Sequence, residues 1–175
     1  MTMERIIIRE EKAEDVRAIF GINKAAFGRE DESLLIDRLR SGKEFIPELS
    51  LVAENKIGIV GHILFSEIRI KGQEDHVSLA LAPMAVLPEF QNRGIGTMLV
   101  REGLRKAKAL KYESVIVLGH KTFYSRFGFK PASKWGILCP FEVPDEAFMG
   151  IELTSNALEN RSGVVVYPKA FLEVI

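Results

Sequence analysis

The residues best able to do chemistry together stand in one short run, Gln91-Asn92-Arg93-Gly94-Ile95-Gly96-Thr97, which fits the pattern Gln/Arg-x-x-Gly-x-Gly/Ala. An apolar run ends at Leu87 before it, and a helical pattern begins near Gly94. Glycines at such a junction let the backbone turn sharply and approach a ligand. Successive N–H groups and the unpaired amides of the helix's first turn then point outward together. That geometry cradles a diphosphate, helped by the positive end of the helix dipole. Standing alone, Gly94 and Gly96 would do no more than build a tight strand-to-helix turn.

Two other glycine loops are excluded by their neighbours. A nucleotide-triphosphate loop needs Lys-Ser/Thr after its second glycine, and no lysine precedes Thr97. A dinucleotide fingerprint needs a third glycine where Leu99 stands. It also needs an acidic residue after the next strand, where the sequence reads Leu118-Gly119.

His120 lies just beyond the apolar run ending at Leu118, and imidazole titrates near neutral pH, so His120 is a candidate base. A loop histidine also serves as structure or simply faces water. His62 and Glu67 are lesser candidates, and an ordered chain of water is another. Cys139 has no histidine or acid nearby to activate it and reads as packing. Phe123, Phe127, Phe129 and Trp135 form an aromatic cluster without a basic stripe, which reads as core and cleft wall rather than a stack for bases.

These residues need a scaffold, and hydrophobic periodicity outlines one. Residues 6–8 predict a first strand, followed by a helix with Val16, Ile19, Phe20 and Phe27 on one face. A second helix is expected over 32–40, ended by Ser41-Gly42, with Pro47 separating helices from strands. Runs 49–54 and 57–70 predict an antiparallel hairpin turning at Asn55-Lys56, with Gly58 and Gly61 as places for bulges. After a polar turn over 71–75, residues 76–87 form a nearly uncharged run ending at Pro88, the pattern of a central strand covered on both faces. A helix over 94–110 follows, with Ile95, Met98, Leu99, Gly103, Ala107 and Leu110 as its stripe, then a buried strand over 114–118. Parallel pairing is expected within 76–118. With a short helix over 121–127 and a last strand over 163–167, the pattern is mixed α/β with antiparallel hairpins first.

Composition sets the outer bounds. With 175 residues, 47% hydrophobic and 27% charged, one domain spanning 1–175 is expected. The 24 basic and 24 acidic residues cancel, so no general field attracts nucleic acid or an anionic membrane, and neither is an expected partner. A single cysteine excludes an internal disulfide framework and a Cys-rich zinc site, and suits a cytoplasmic location; no metal is expected. The run 6–8 is far shorter than a signal-peptide core or the about 20 apolar residues of a membrane span.

With Met84-Ala85-Val86-Leu87-Pro88-Glu89-Phe90 before the loop and Phe123-Tyr124-Ser125-Arg126-Phe127-Gly128-Phe129 after it, the sequence resembles the GCN5-related N-acetyltransferase (GNAT) superfamily over about residues 4–150. Leu118-Gly119-His120 and the Tyr124 motif resemble its YhbS-type branch, loosely defined by substrate. The resemblance implies an α/β fold whose central mixed sheet of six to seven strands has helices on both faces. The extension 151–175 would complete the sheet, and two parallel strands would splay into an acetyl-CoA cleft. The implied activity is an N-acetyltransferase using acetyl-CoA as co-substrate and passing the acetyl group directly to a primary amine of a small molecule or protein. The alternative is a non-catalytic acyl-CoA sensor. Homodimers are common in the family.

Carried over by residue, the resemblance implies that Gln91, Asn92, Arg93, Gly94, Ile95, Gly96 and Thr97 hold the pyrophosphate, with charge added by Arg93 and Arg126. Backbone groups of Ala85 and Val86 would pair with the pantetheine arm like an added strand. An amide near 84–86, freed by a bulge, would steady the oxyanion. Tyr124, a phenol protonated at neutral pH, would donate to the departing thiolate.

Overall fold

The computed structural model describes residues 4–174; residues 1–3 and 175, which the single-domain and extension expectations include, lie outside them. Strands form where aliphatic and β-branched residues alternate between faces. They are β1 (Ile7–Glu10), β2 (Phe45–Asn55), β3 (Gly58–Lys71), β4 (Asp75–Val86), β5 (Ser114–Leu118), β6 (Lys130–Pro131), β7 (Ile137–Leu138), β8 (Phe148–Glu152) and β9 (Gly163–Val166). The helices are α1 (Val16–Phe27), α2 (Asp31–Arg40), α3 (Ile95–Ala109), α4 (Lys121–Tyr124) and α5 (Lys169–Leu172).

One mixed sheet holds all the strands. Its continuous path runs β1-β2-β3-β4-β5-β8-β6, seven strands, and β9 pairs with β3 and β7. The β4–β5 and β7–β9 pairs are parallel. β9 joins β3 at Arg69, Ile70 and Lys71, beyond the point where β2 stops pairing at Phe45 opposite Ser66. β9 therefore adds a strand along the far half of β3.

Alternation along the strands divides the interior in two. Ile63, Phe65, Leu79, Leu81, Val115 and Val117 pack with Leu99, Val100 and Ala107 of α3. Leu64, Ile68, Ala80 and Ile116 pack with Ile19 of α1 and Leu35, Ile36 and Leu39 of α2. Helices thus cover both faces, and each fully buried aliphatic side chain contributes about 1.5–3 kcal/mol. Gly103 is required for this contact, because a Cβ there would collide with the Phe65 ring.

Tertiary context redraws several local expectations. Pro47 lies exposed inside β2, in an irregular stretch between Phe45 and Ser50 where register shifts and its missing N–H costs no ladder bond. On α3, Val100 is buried while Met98 and Leu110 are exposed, so the inner stripe is narrower than the apolar pattern. Trp135 leaves the aromatic cluster and packs in the α1–α2 core on the opposite face of the sheet. The residue pattern did not predict β6, β7, β8 or α5. β8 is a short run broken by Gly150, and pairing with the outer edge of β5 is what makes it a strand.

Candidate functional site

The site begins where two strands part. β4 and β5 pair only at Leu79 with Val115 and Ala80 with Ile116, after which the pairing stops. On the other side of β4, Phe65 faces Leu81 and Ile63 faces Met84, so β4 carries one extra residue around Ala82-Pro83. This bulge lies just before the residues where one was expected, and it turns β4 away from β5.

Backbone direction beyond the bulge follows from two contacts. The Leu87 amide donates to the Val60 carbonyl at 2.8 Å. The Ala85 carbonyl faces β3, within 3.3 Å of where a Cβ on Gly61 would stand. Residues 85 and 87 therefore address β3, and the alternate residues Met84 and Val86 turn their N–H and C=O groups to the open side. Of the two residues expected to present backbone to a ligand, Val86 faces the opening; Ala85 contributes only wall, because alternation points its polar groups to β3. Gln91 donates its Nε2 to the Val86 carbonyl at 3.0 Å, tying the loop to the strand.

Asn92 and Gly94 adopt left-handed conformations, φ 62° and 84°, on either side of Arg93. The first helical bond of α3 runs from the Met98 amide to the Gly94 carbonyl, 3.1 Å, which leaves the amides of Ile95, Gly96 and Thr97 without helical acceptors. A Cβ on Gly96 would sit 3.4 Å from Met84 Cε and 3.6 Å from Phe123 Cζ, filling the gap between two cavity walls. Gln91, Asn92, Gly94, Ile95, Gly96 and Thr97 line a cavity of about 570 Å³ together with Ala85, Val86 and Arg126. Arg93 is the exception. The left-handed turns flanking it swing its side chain outward, where its guanidinium lies 5.2 Å from the Phe90 ring centre. Arg126 takes the place at the cradle, donating to Thr97 Oγ1 at 3.3 Å while packing on Phe123. These residues fit a diphosphate: converging amides at a helix start, one nearby cation, and room where a side chain is missing.

A second cavity of about 660 Å³ adjoins the first, and Phe27, Met84 and Phe123 line both. Tyr124 lies in its wall, packed edge-on against Phe123 at 4.9 Å and Phe129 at 5.6 Å. Burial pushes its phenol up to about 12. Among the described residues nothing bonds to the Tyr124 hydroxyl. It is also not among the sealed, unpaired polar atoms, which are Asn23 Oδ1, His62 Nδ1 and Ser66 Oγ, so it is open to the cavity. Gly119 makes this position possible, since a Cβ there would lie 2.5 Å from Tyr124 Cε2. The sequence places Gly119 in a motif with His120, and the structure supplies the reason, a ring five residues later.

His120 stands exposed at the rim of the same cavity, and its carbonyl accepts the Phe123 and Tyr124 amides, both at 3.1 Å. His62 and Glu67 line neither cavity. His62 is fully buried, and burial pushes its imidazole down to about 3, so it takes up no proton at neutral pH. It belongs to a chain in which Ser50 donates to Glu11. The His62 Nε2–H therefore donates to Ser50 Oγ at 2.9 Å, while Arg40 pairs with Glu11 at 3.1 Å. Glu67 accepts the Tyr112 hydroxyl at 3.0 Å. Cys139 is partly buried, which raises its thiol and keeps it protonated. The cavity's far end is built by Phe141, Tyr167 and Phe171, which carry no motif.

Comparison with known proteins accords with this geometry. Residues 47–131 match the model of the acetyltransferase (GNAT) domain. The chain is 36% identical over 148 residues to the uncharacterized N-acetyltransferase YjhQ of Escherichia coli, covering 83% of this chain and 82% of that one. It is 31% identical over 167 residues to the uncharacterized N-acetyltransferase YhbS of the same species, covering 95% and 98%. The crystal structure of E. coli YhbS in complex with CoA matches with a TM-score of 0.91 at 30% identity, covering 98% and 94%. A GNAT family acetyltransferase from Brucella melitensis, solved with acetyl-CoA, matches with a TM-score of 0.79 at 30% identity, covering 97% and 99%. The chain belongs to the GNAT superfamily. It is an N-acetyltransferase, similar over nearly its full length to YhbS.

Proposed function

We propose that this single domain binds acetyl-CoA in the 570 Å³ cavity and transfers the acetyl group directly to a primary amine held in the 660 Å³ cavity. The observation that carries this is their junction. The two cavities meet at Met84 and Phe123, beside the point where β4 and β5 part and within reach of an unpaired, protonated phenol. The known complexes of YhbS with CoA and of the Brucella enzyme with acetyl-CoA support the choice of ligand.

Acetyl-CoA would supply an activated carbonyl. The amides of Ile95, Gly96 and Thr97, the Gln91–Val86 tie and the Arg126 guanidinium hold its diphosphate, and Val86 pairs with the pantetheine arm. The Met84 amide, turned to the open side just past the bulge, donates to the oxygen on which negative charge develops. The amine's lone pair forms the new C–N bond as the C–S bond breaks. Tyr124 gives its proton to the sulfur, and the amine's proton passes to His120 or to water in the cavity. The products are an acetamide and free CoA thiol, and Tyr124 recovers its proton from solvent.

The test couples binding to turnover. CoA and acetyl-CoA should raise the unfolding free energy by about 2.7 kcal/mol at a hundred times their Kd, while ATP and NAD should not. Thiol release should then depend on an added amine. Stabilisation without amine-dependent thiol release would support the sensor instead, and no stabilisation by CoA compounds would overturn both.

A further inference from the structure

We infer that the amine acceptor is a small arylalkylamine, a primary amine on an aromatic body that carries no acidic group. This rests on the acetyltransfer proposed above. Six aromatic rings line the acceptor cavity: Phe27, Phe123, Tyr124, Phe141, Tyr167 and Phe171. Three form a continuous series, with Phe141 stacked on Tyr167 at 6.0 Å and Tyr167 against Phe171 at 5.0 Å. Such a wall rewards a flat apolar body through edge and stacking contacts, and it attracts an ammonium group over the ring faces.

Charge in the cavity selects further. Arg29 is its one guanidinium, and it is already committed to Glu32 at 2.6 Å and to Asp31 at 3.8 Å. Two carboxylates against one engaged cation leave this end negative, which favours a cationic amine there and disfavours a carboxylate or phosphate. The carboxy-terminal helix forms one wall of the cavity. α5 docks on α2, Phe171 is buried, and Arg38 pairs with Glu173 at 3.4 Å. A volume of about 660 Å³ walled in this way is of the size that takes a small molecule.

The experiment measures thiol release from acetyl-CoA with phenylethylamine, tryptamine, phenylalanine, ethylamine, spermidine and a lysine-containing peptide, with CoA binding followed separately by calorimetry. The aryl amines should have kcat/KM at least about tenfold above each of the others, phenylalanine included. Phe141→Ala, at a half-buried position, should raise KM for phenylethylamine roughly tenfold more than it raises KM for ethylamine, with CoA affinity held. A melting curve for that variant separates loss of folding from loss of contact, and Phe141→Leu should recover part of the affinity. If CoA binds but spermidine, the peptide or no amine at all is preferred, or if Phe141→Ala affects ethylamine as much as phenylethylamine, the arylalkylamine assignment is overturned. If CoA fails to bind, the acetyltransfer reading falls first.

Discussion

Gly119→Ala should slow the enzyme about a hundredfold by displacing the Tyr124 ring. The alanine Cβ would stand 2.5 Å from Tyr124 Cε2 and 3.0 Å from Cδ2. Carbon atoms rest about 3.5–4.0 Å apart, so the ring must retreat by about 1 Å. The ring is held edge-on by Phe123 and Phe129, and overpacking of this kind costs about 1–3 kcal/mol of stability. A displacement of about 1 Å at a reacting group is worth roughly 10²-fold in rate. Initial rates of thiol release at saturating acetyl-CoA and amine would report kcat, with melting and CoA calorimetry on the same protein. CoA affinity should hold, because Gly119 does not line the 570 Å³ cavity. Combining Gly119→Ala with Tyr124→Phe should be no slower than Tyr124→Phe alone, since one effect cannot be removed twice. An unchanged kcat in the folded variant, or losses that simply add in the double variant, would refute the reasoning.

Tyr124→Phe should lower kcat about 10²–10⁴-fold with the melting temperature nearly unchanged, because the hydroxyl has no protein partner to lose. The wild-type phenol sits at about 12 and its protonated form is the donor, so a kcat–pH profile should show no loss from Tyr124 below roughly pH 11; an earlier alkaline fall absent from Tyr124→Phe would contradict this. Gly96→Val fills the gap between Met84 and Phe123, and calorimetry should find CoA binding weakened by about a hundredfold or more in a protein that still melts cooperatively. For His62 the sign runs with acid: below its ordinary 6.5 the unfolded imidazole takes a proton that the folded one refuses until about 3. Stability is therefore full above that window and falls as pH drops, by about 2 kcal/mol between roughly pH 7 and 5. Urea titrations of wild type and His62→Gln should differ by that slope, and parallel slopes would show that His62 does not titrate across this transition.

How much could be read before folding varies with distance along the chain. Residues 91–97 could be recognised because the turn, its left-handed positions and the free amides of the first helical turn all arise within seven neighbours. Arg93 was counted with the loop for the same local reason, and the folded backbone on either side turns its side chain onto Phe90. β8 was missed because Gly150 breaks a short apolar run, and only the open edge of β5 makes that run a strand. His62 looked like a half-exposed strand residue; packing from α1 and the chain through Ser50, Glu11 and Arg40 seal it.

The sequence by itself determined the glycine turn with its free helix-start amides, the order of the main strands along the chain and the GNAT family. Dihedral preference, helix-end amides and apolar periodicity act over a few residues and survive in one dimension. The tertiary structure decided which atoms meet. The extra residue near Ala82-Pro83 and the early end of β4–β5 pairing turn the Met84 and Val86 groups toward the opening. Sheet order then brings Phe27, Phe141, Tyr167 and Phe171, far apart in the chain, around Tyr124. No local rule encodes that assembly, because each aromatic side chain is placed by strands and helices whose positions depend on the whole sheet.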